Sequence, residues 1–420
     1  MSNRRIAIRR RPEERGQTIV LVAIALVSLL GMAALAIDVT TLYVARGEMQ
    51  RAADAAALAG AKAFVDSGIT TDTANATRQA LAQTMATSVI NSILAQNKIS
   101  GAPPVLAAAP AFDFTRPGNP QISVTLQRTN LPTFFARIWG TKLVTVTASA
   151  VAEAYNASSS QNSTGNYVPV TPKCAKPLLV VNKDPVSTLQ FVDPVTGAAT
   201  ATEIGQPLTL TQACTSAGPA TCTKSLPALP GTYYPAQIIT ANPGNLCPSC
   251  VGATDYEQSI ECCDFNTYSC STALASAQVD MTVSHGQLRN GTNNGVQCLI
   301  NQPSQDTLDP TSLPGFTAGT EPPRITATSG PQSGNLVTTS RSIANLPIIN
   351  ADNANPIPAS GQVKVIGFLQ LFVDSVQVVG NQTTLTTHVL NVVGCGNSPS
   401  GPVSISGGGM SPIPVRLIHQ

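Results

Sequence analysis

Nineteen consecutive residues, Ile19 to Ile37 (IVLVAIALVSLLGMAALAI), contain one polar side chain, Ser28, and one glycine, Gly31. At ~1.5 Å per helical residue the run reaches roughly 28 Å, close to the ~30 Å hydrocarbon thickness of a bilayer. It is long enough to span, which makes membrane lipid the first expected partner. Ahead of it lie Arg4, Arg5, Arg9, Arg10, Arg11 and Arg15 against only Glu13 and Glu14; just after it come only Arg46 and Arg51. Short Arg-rich flanks stay in the cytoplasm, so everything beyond Asp38 is expected outside. A competing reading is a signal peptide cut after Ala36, because Ala34-Leu35-Ala36 fits the A-x-A pattern. The apolar run exceeds the usual h-region and the helical pattern continues past that point, so an uncleaved signal-anchor is the expectation.

Charged residues make up 11% of the 420-residue chain, against a typical ~25%. The exposed surface must therefore be built mainly from Ser, Thr, Asn, Gln and backbone, which suits an extracytoplasmic β-rich body. Net charge is +2, and the arginines of the first fifteen residues carry it. The remainder has no basic face for nucleic acid, which is not expected as a partner. All ten cysteines lie beyond residue 173: Cys174, Cys214, Cys222, Cys247, Cys250, Cys262, Cys263, Cys270, Cys298 and Cys395. An even number confined to the part expected outside fits disulfides in an oxidising compartment.

Past the span, the sequence to Asp66 is rich in Ala, Leu, Met, Gln, Glu and Arg and has no proline. It predicts that the membrane helix runs on to Asp66, before a stop at Ser67-Gly68. Small residues recur every fourth position at Ala52, Ala56 and Gly60, and again at Ala53, Ala57 and Ala61. Such a seam lets a partner helix approach closely, or simply reflects alanine's helix propensity. A second helix is predicted from Thr71 or Asp72 to about Asn97, its apolar face built on Leu81, Met85, Val89 and Ile93 with Ile90 and Leu94 beside them. Ile122 to Leu126 and Lys142 to Ala152 alternate like half-buried strands. Between them Phe134, Phe135 and Trp139 read as core aromatics.

Taken in order, Arg15-Gly16, the span with Gly31, Asp38, Tyr43, Arg46, Gln50 and AADAAALAGA (Ala52 to Ala61, including Asp54) resemble the N-terminal signature of the TadG-like (TadE/TadG-type) proteins of Flp, or tight-adherence, pilus assembly. The later Phe134-Phe135, Gly140 and alternating Val144, Val146, Ala148 and Ala150 extend the resemblance over roughly residues 15 to 155. It implies a single-pass anchor in a bacterial inner membrane with its bulk periplasmic or extracellular, and pilus-assembly or secretion proteins as partners. Two departures stand out. The D-x-S-x-S metal motif of von Willebrand type A modules, which long relatives often carry, does not follow Asp66-Ser67 or Asp374-Ser375. Leu21 occupies the position where prepilin-peptidase substrates have glutamate, which counts against cleavage after Gly16. Asp38 reads as a water-boundary marker or as a contact to a partner helix, and Tyr43 as an interfacial anchor.

The chain thus divides into a cytoplasmic basic segment (1–15), the extended helix (16–66), a membrane-proximal α+β region (67–155), a linker (156–170) and a cysteine-containing β-rich region (171–420). The fold class is membrane-anchored α+β. In the last region, Leu178 to Val181, Val279 to Val283, Val363 to Val379 and Thr383 to Val393 are strand-like, with Gly380-Asn381 as a hairpin turn. Lys364, Gln370, Asp374 and Gln377 argue against a second span. Pro303 to Gly319 and Ser398 to Gly409 read as loops.

Cys247-Pro-Ser-Cys250 with Cys262, Cys263 and Cys270 is the densest cluster. Structural disulfides, a four-thiolate zinc site and a thiol-exchange motif compete there; the missing spacer between Cys262 and Cys263 counts against zinc, and the absence of a βαβ pattern against exchange. His285, His388 and His419 lie beside no metal or nucleophile pattern. Nucleophile-elbow, zincin, P-loop and dinucleotide motifs are absent from the sequence, so neither catalysis nor a cofactor is expected. The alternative function is a secreted adhesin, or a carbohydrate-binding or hydrolytic protein, released after Ala36.

Overall fold

The computed structural model describes residues 14–116, 119–140, 143–154, 172, 174–195, 197–200, 203–213, 228–238, 254–262, 268, 277–280, 285–313, 323–337, 339–351, 356–380, 382–395 and 413–418. The basic segment ahead of Glu14, the expected linker, the loop Ser398 to Gly409 and Cys214, Cys222, Cys247, Cys250, Cys263 and Cys270 lie outside these residues.

One helix, α1 (Glu14–Ser67), runs unbroken for 54 residues, about 80 Å. It ends because Gly68 adopts φ +70°, the left-handed conformation that closes helices and that glycine takes without penalty. Its two parts differ in what surrounds them. From Ile19 to Ile37 every side chain is exposed or half-exposed, and Asp38 is the first buried one. Beyond it Ala45, Met49, Ala52, Ala53, Ala56, Ala57, Ala61 and Phe64 are buried at spacings of three and four, the period that keeps residues on one side of a helix.

Helix α2 (Ala76–Gln96) lies along that stripe. Its N-cap is Asn75, whose side chain accepts from the Arg78 N–H at 3.1 Å. The helix starts later than expected because Ile69–Thr71 first makes a 3-10 turn. Its buried face, Ala82, Met85, Ala86, Ile90 and Leu94, is rotated from the one expected, and Leu81, Val89 and Ile93 are not fully buried. Small residues turn toward α1 because the two helices pack on alanine.

In chain order the strands are β1 (Val105–Leu106), β2 (Ala111–Asp113), β3 (Gln121–Pro132), β4 (Leu143–Ala154), β5 (Leu178–Val181), β6 (Pro207–Gln212), β7 (Thr232–Pro235), β8 (Ala277–Gln278), β9 (Thr307–Leu308), β10 (Ile325–Thr326), β11 (Leu336–Val337), β12 (Ile343–Ile349), β13 (Gln362–Val363), β14 (Val365–Val379), β15 (Gln382–Gly394) and β16 (Val415–Ile418). An antiparallel sheet of order β1-β3-β4-β16, with β2 also on β3, packs against α1 beside α2. Ile122, Val124 and Leu126 face Ala152, Ala150 and Ala148 across β3 and β4. Alternate side chains form the floor on which α1 lies.

Strand β16 joins this sheet from the far end of the chain. The stretch Val415–Ile418 pairs with Ala154 to Val151 and so completes the sheet that packs on α1. Arg416 seals the joint: its Nη2 lies 2.5 Å and its Nε 2.6 Å from Oε1 of the buried Glu153, whose other oxygen accepts from Gln121 Nε2 at 3.1 Å.

Six strands close into a barrel of order β12-β14-β15-β6-β7-β5. Two neighbouring pairs, β5 with β12 and β6 with β7, are parallel, and the other four are antiparallel. The hairpin itself is present: β14 and β15 pair from Val379↔Gln382 inward, with Gly380 at φ +61°. All six strands contribute to one core, which includes Leu178, Leu210, Tyr233, Leu346, Leu371 and Val389. Helices α3 (Asp255–Glu261) and α4 (His285–Ile300) pack onto it through Ile260, Val296 and Ile300. The four cysteines among the described residues, Cys174, Cys262, Cys298 and Cys395, are disulfide-bonded.

Candidate functional site

Asp38, Tyr43 and Arg46 of the sequence signature lie where α1 leaves its bare section, beside the β3–β4 loop. Asp38 is 3% exposed, and its carboxylate faces the loop between β3 and β4. Oδ1 accepts from the Phe134 N–H at 2.8 Å, and Oδ2 accepts from those of Phe135 and Ala136 at 2.9 and 2.6 Å. These N–H groups open the 3-10 turn Ala136–Trp139, whose own N-cap, Phe135, supplies no side-chain cap. A carboxylate nearly a hundred residues away therefore takes the capping role.

Burial alone would raise the pKa of Asp38. The donors from Ala136, Phe134 and Phe135 together outweigh it and hold the carboxyl below its ordinary value. Asp38 is thus clasped to the β3–β4 loop of its own chain by three backbone donors. The loop's Phe134 stays 62% exposed and Phe135 half-buried, so this pair is not the core element expected of it. Nothing in the sequence pointed from Asp38 to this loop, since the donors are backbone groups without side-chain identity.

The next turns of α1 carry the other signature residues. Thr40 and Thr41 satisfy their hydroxyls on the carbonyls of Ala36 and Ile37, at 2.7 and 2.9 Å. Tyr43 is 78% exposed. With Val39, Leu42 and Arg46 it lines one wall of a groove of about 410 Å³, whose other wall is Val144 to Thr147 of β4. Gln50 Nε2 donates to Asp54 Oδ1 at 2.8 Å and to the Ser149 carbonyl of β4 at 3.2 Å, tying helix to sheet. Glu48 adds a tie to the Ser100 N–H at 3.1 Å.

The small-residue seam is spent internally. Ala52, Ala56 and Gly60 are buried inside the chain, and a Cβ on Gly60 would sit 2.7 Å from Ile122 Cδ1 and 3.2 Å from Ile90 Cδ1. Strand β3 and helix α2 therefore occupy the place a partner helix was expected to take. By contrast, a Cβ on Gly31 in the bare section would meet no atom within 4 Å, and Ser28 and the span ends Ile19 and Ile37 are exposed.

In the body, His388 Nδ1 lies 2.8 Å from Asp374 Oδ2, at a bulge between Val373 and Ser375 that leaves Asp374 out of the ladder. Among the described residues no three of His, Cys, Asp or Glu converge as a metal cage. Cys247, Cys250, Cys263 and Cys270, on which the zinc and exchange readings depended, fall outside the described residues.

No curated protein and no solved structure matches the chain. The family described as putative Flp pilus-assembly TadE/G-like matches at residues 16–63, a stretch of α1 that takes in the bare section, Asp38 and the buried alanine stripe.

Proposed function

We propose that this protein is a non-enzymatic, single-pass component of Flp, or tight-adherence, pilus assembly or of a related secretion system. On this reading α1 crosses the bacterial inner membrane with its N-terminus in the cytoplasm and holds the sheet and barrel on the far side. There the ten cysteines are oxidised and the body contacts pilus or envelope components. The observation that carries the reading is the division of α1 within the matched domain: no side chain is buried from Ile19 to Ile37, whereas from Asp38 onward the same helix is the core of a folded unit. Apolar helix surface of that extent left bare in a folded chain calls for lipid. Alkaline washing of membranes and protease treatment of spheroplasts test it. The intact chain should stay with the membranes and its cysteine-bearing part should be cut from outside; extraction by alkali, or protection of that part, refutes the anchor. Loss of surface pili in a deletion strain, restored by the intact gene, tests the assembly role.

Release after Ala36, which would free a secreted adhesin or carbohydrate-active protein, has one observation in its favour. Asp38 is the first buried residue, so a cut at that point removes nothing from the core. The N-terminal mass of the mature chain decides between them: a soluble species beginning at Ile37 supports release, and its absence supports the anchor.

A further inference from the structure

We propose that the β3–β4 loop, with the turn of α1 beside it, is a second and peripheral contact to the bilayer: a foot resting in the headgroup layer of the leaflet from which α1 emerges. The inference rests on α1 being a membrane span and adds what the sheet does at its exit. The Asp38 clasp sets the depth. Asp38 lies one residue, about 1.5 Å, past the apolar run, and its carboxylate holds the N–H groups of Phe134 to Ala136 at 2.6–2.9 Å. The loop backbone therefore sits at the edge of the hydrocarbon. Headgroups occupy roughly 5–7 Å beyond that edge, which takes in the α1 turn as far as Tyr43.

Side chains at this depth have the composition of an interface. Val39, Tyr43, Phe134 and Leu143 are all more than half exposed, although sheet and helix around them are well packed. A tyrosine and a phenylalanine at headgroup height match the aromatic belt of membrane proteins. Arg46 on the groove wall and Arg137 in the loop are exposed as well, two cations of the kind that meets phosphate from a stem able to lie on apolar surface. Lipid is favoured over a protein occupant because the patch is continuous through Val39 with the bare surface of the span. Capping by Asp38 and by the Thr40 and Thr41 back-bonds leaves few polar groups to desolvate there.

The chain has one tryptophan, Trp139, at the end of the clasped turn, so Phe134→Trp combined with Trp139→Phe moves the sole indole to the exposed loop position. The full-length double variant is reconstituted into phosphatidylethanolamine and phosphatidylglycerol vesicles, with a fraction of the lipid brominated either near the carbonyl end or near the middle of the acyl chain. Emission at position 134 should shift to the blue and be quenched more by the shallow bromines than by the deep ones. Retention in vesicles after alkaline washing is scored on the same samples. A chain that stays in the vesicles but shows no bromine quenching overturns the foot and leaves the anchor standing; shielding of the indole from acrylamide without bromine quenching assigns the surface to a protein and overturns it too. Loss of the chain from the vesicles removes the anchor, and the foot with it.

Discussion

Gly60→Leu separates a seam that holds this chain together from one that waits for a partner. The added Cβ would stand 2.7 Å from Ile122 Cδ1 and 3.2 Å from Ile90 Cδ1, where carbon atoms settle at about 3.5–4.0 Å. Both isoleucines are fully buried, in β3 and α2, so neither can swing into solvent. Overpacking of this kind costs ~1–3 kcal/mol, and leucine carries three more carbons into the same space. Replacing a mid-helix glycine returns about 1 kcal/mol of propensity. A net loss of about 2 kcal/mol follows for leucine, or roughly 4–8 °C in thermal midpoint for a unit of this size; for Gly60→Ala the two effects nearly cancel. The assay is thermal unfolding of the detergent-solubilised chain beside a pull-down of envelope proteins. If Gly60→Leu keeps the wild-type midpoint while a helical partner is lost, the internal packing argument is wrong and the seam faces outward.

Asp38→Asn keeps one acceptor oxygen and turns an NH2 toward donors, so the Phe134 to Ala136 amides should exchange hydrogen about tenfold faster or more while the interior of β3 and β4 is unchanged. Because the folded pKa of Asp38 is lowered, the clasp is fully present above the ordinary carboxylate value of ~3.9 and is lost as pH falls through the lower folded one. Trp139 emission should accordingly hold steady from neutral pH down to about 4 and change only below it. In a double-mutant cycle, Glu153→Gln and Arg416→Met should couple by about 1–2 kcal/mol, between exposed and buried pairs because only the carboxylate is buried; additivity would place β16 elsewhere. Gly367→Ala drives a methyl to 2.5 Å from the Val393 carbonyl across β14 and β15. It should cost the barrel ~1–3 kcal/mol or more, read by thermal unfolding, with membrane retention unaltered.

Features with local causes were legible in the sequence. The bare apolar run, the length of α1, the alternation of β3 and β4 and the β14–β15 hairpin each follow from composition, periodicity, missing prolines or a turn glycine. What was not legible depends on contacts between distant residues. The sequence HGQLRNGTNNGVQCLI has three glycines and reads as anything but helix, yet it forms α4. Gly291 and Gly295 let it approach α3 closely: a Cβ on either would come within 3.0 Å of Tyr256 or Ile260. Tertiary packing overrides propensity there. The return of β16 to the first sheet was hidden because a four-residue strand has no period of its own. Asp38 was recognised as part of the signature, but its role needed the loop's backbone, which no residue type announces.

The ties along α1 determine what a pull on the span does to the body. Asp38 holds the β3–β4 loop, Glu48 and Gln50 hold the α2–β1 turn and β4, and at the far end Asn391 Nδ2 of β15 donates to the Val65 carbonyl at 2.8 Å. Val65 lies twenty-seven residues beyond Asp38, or about 40 Å along the helix. No proline interrupts α1 between these points. Helices bend sharply at prolines or inserted groups, and neither is present here. On the anchored reading, tilting α1 in the bilayer swings the barrel with it, so a force on the membrane segment reaches a surface about 40 Å outside without any flexible joint taking up the motion.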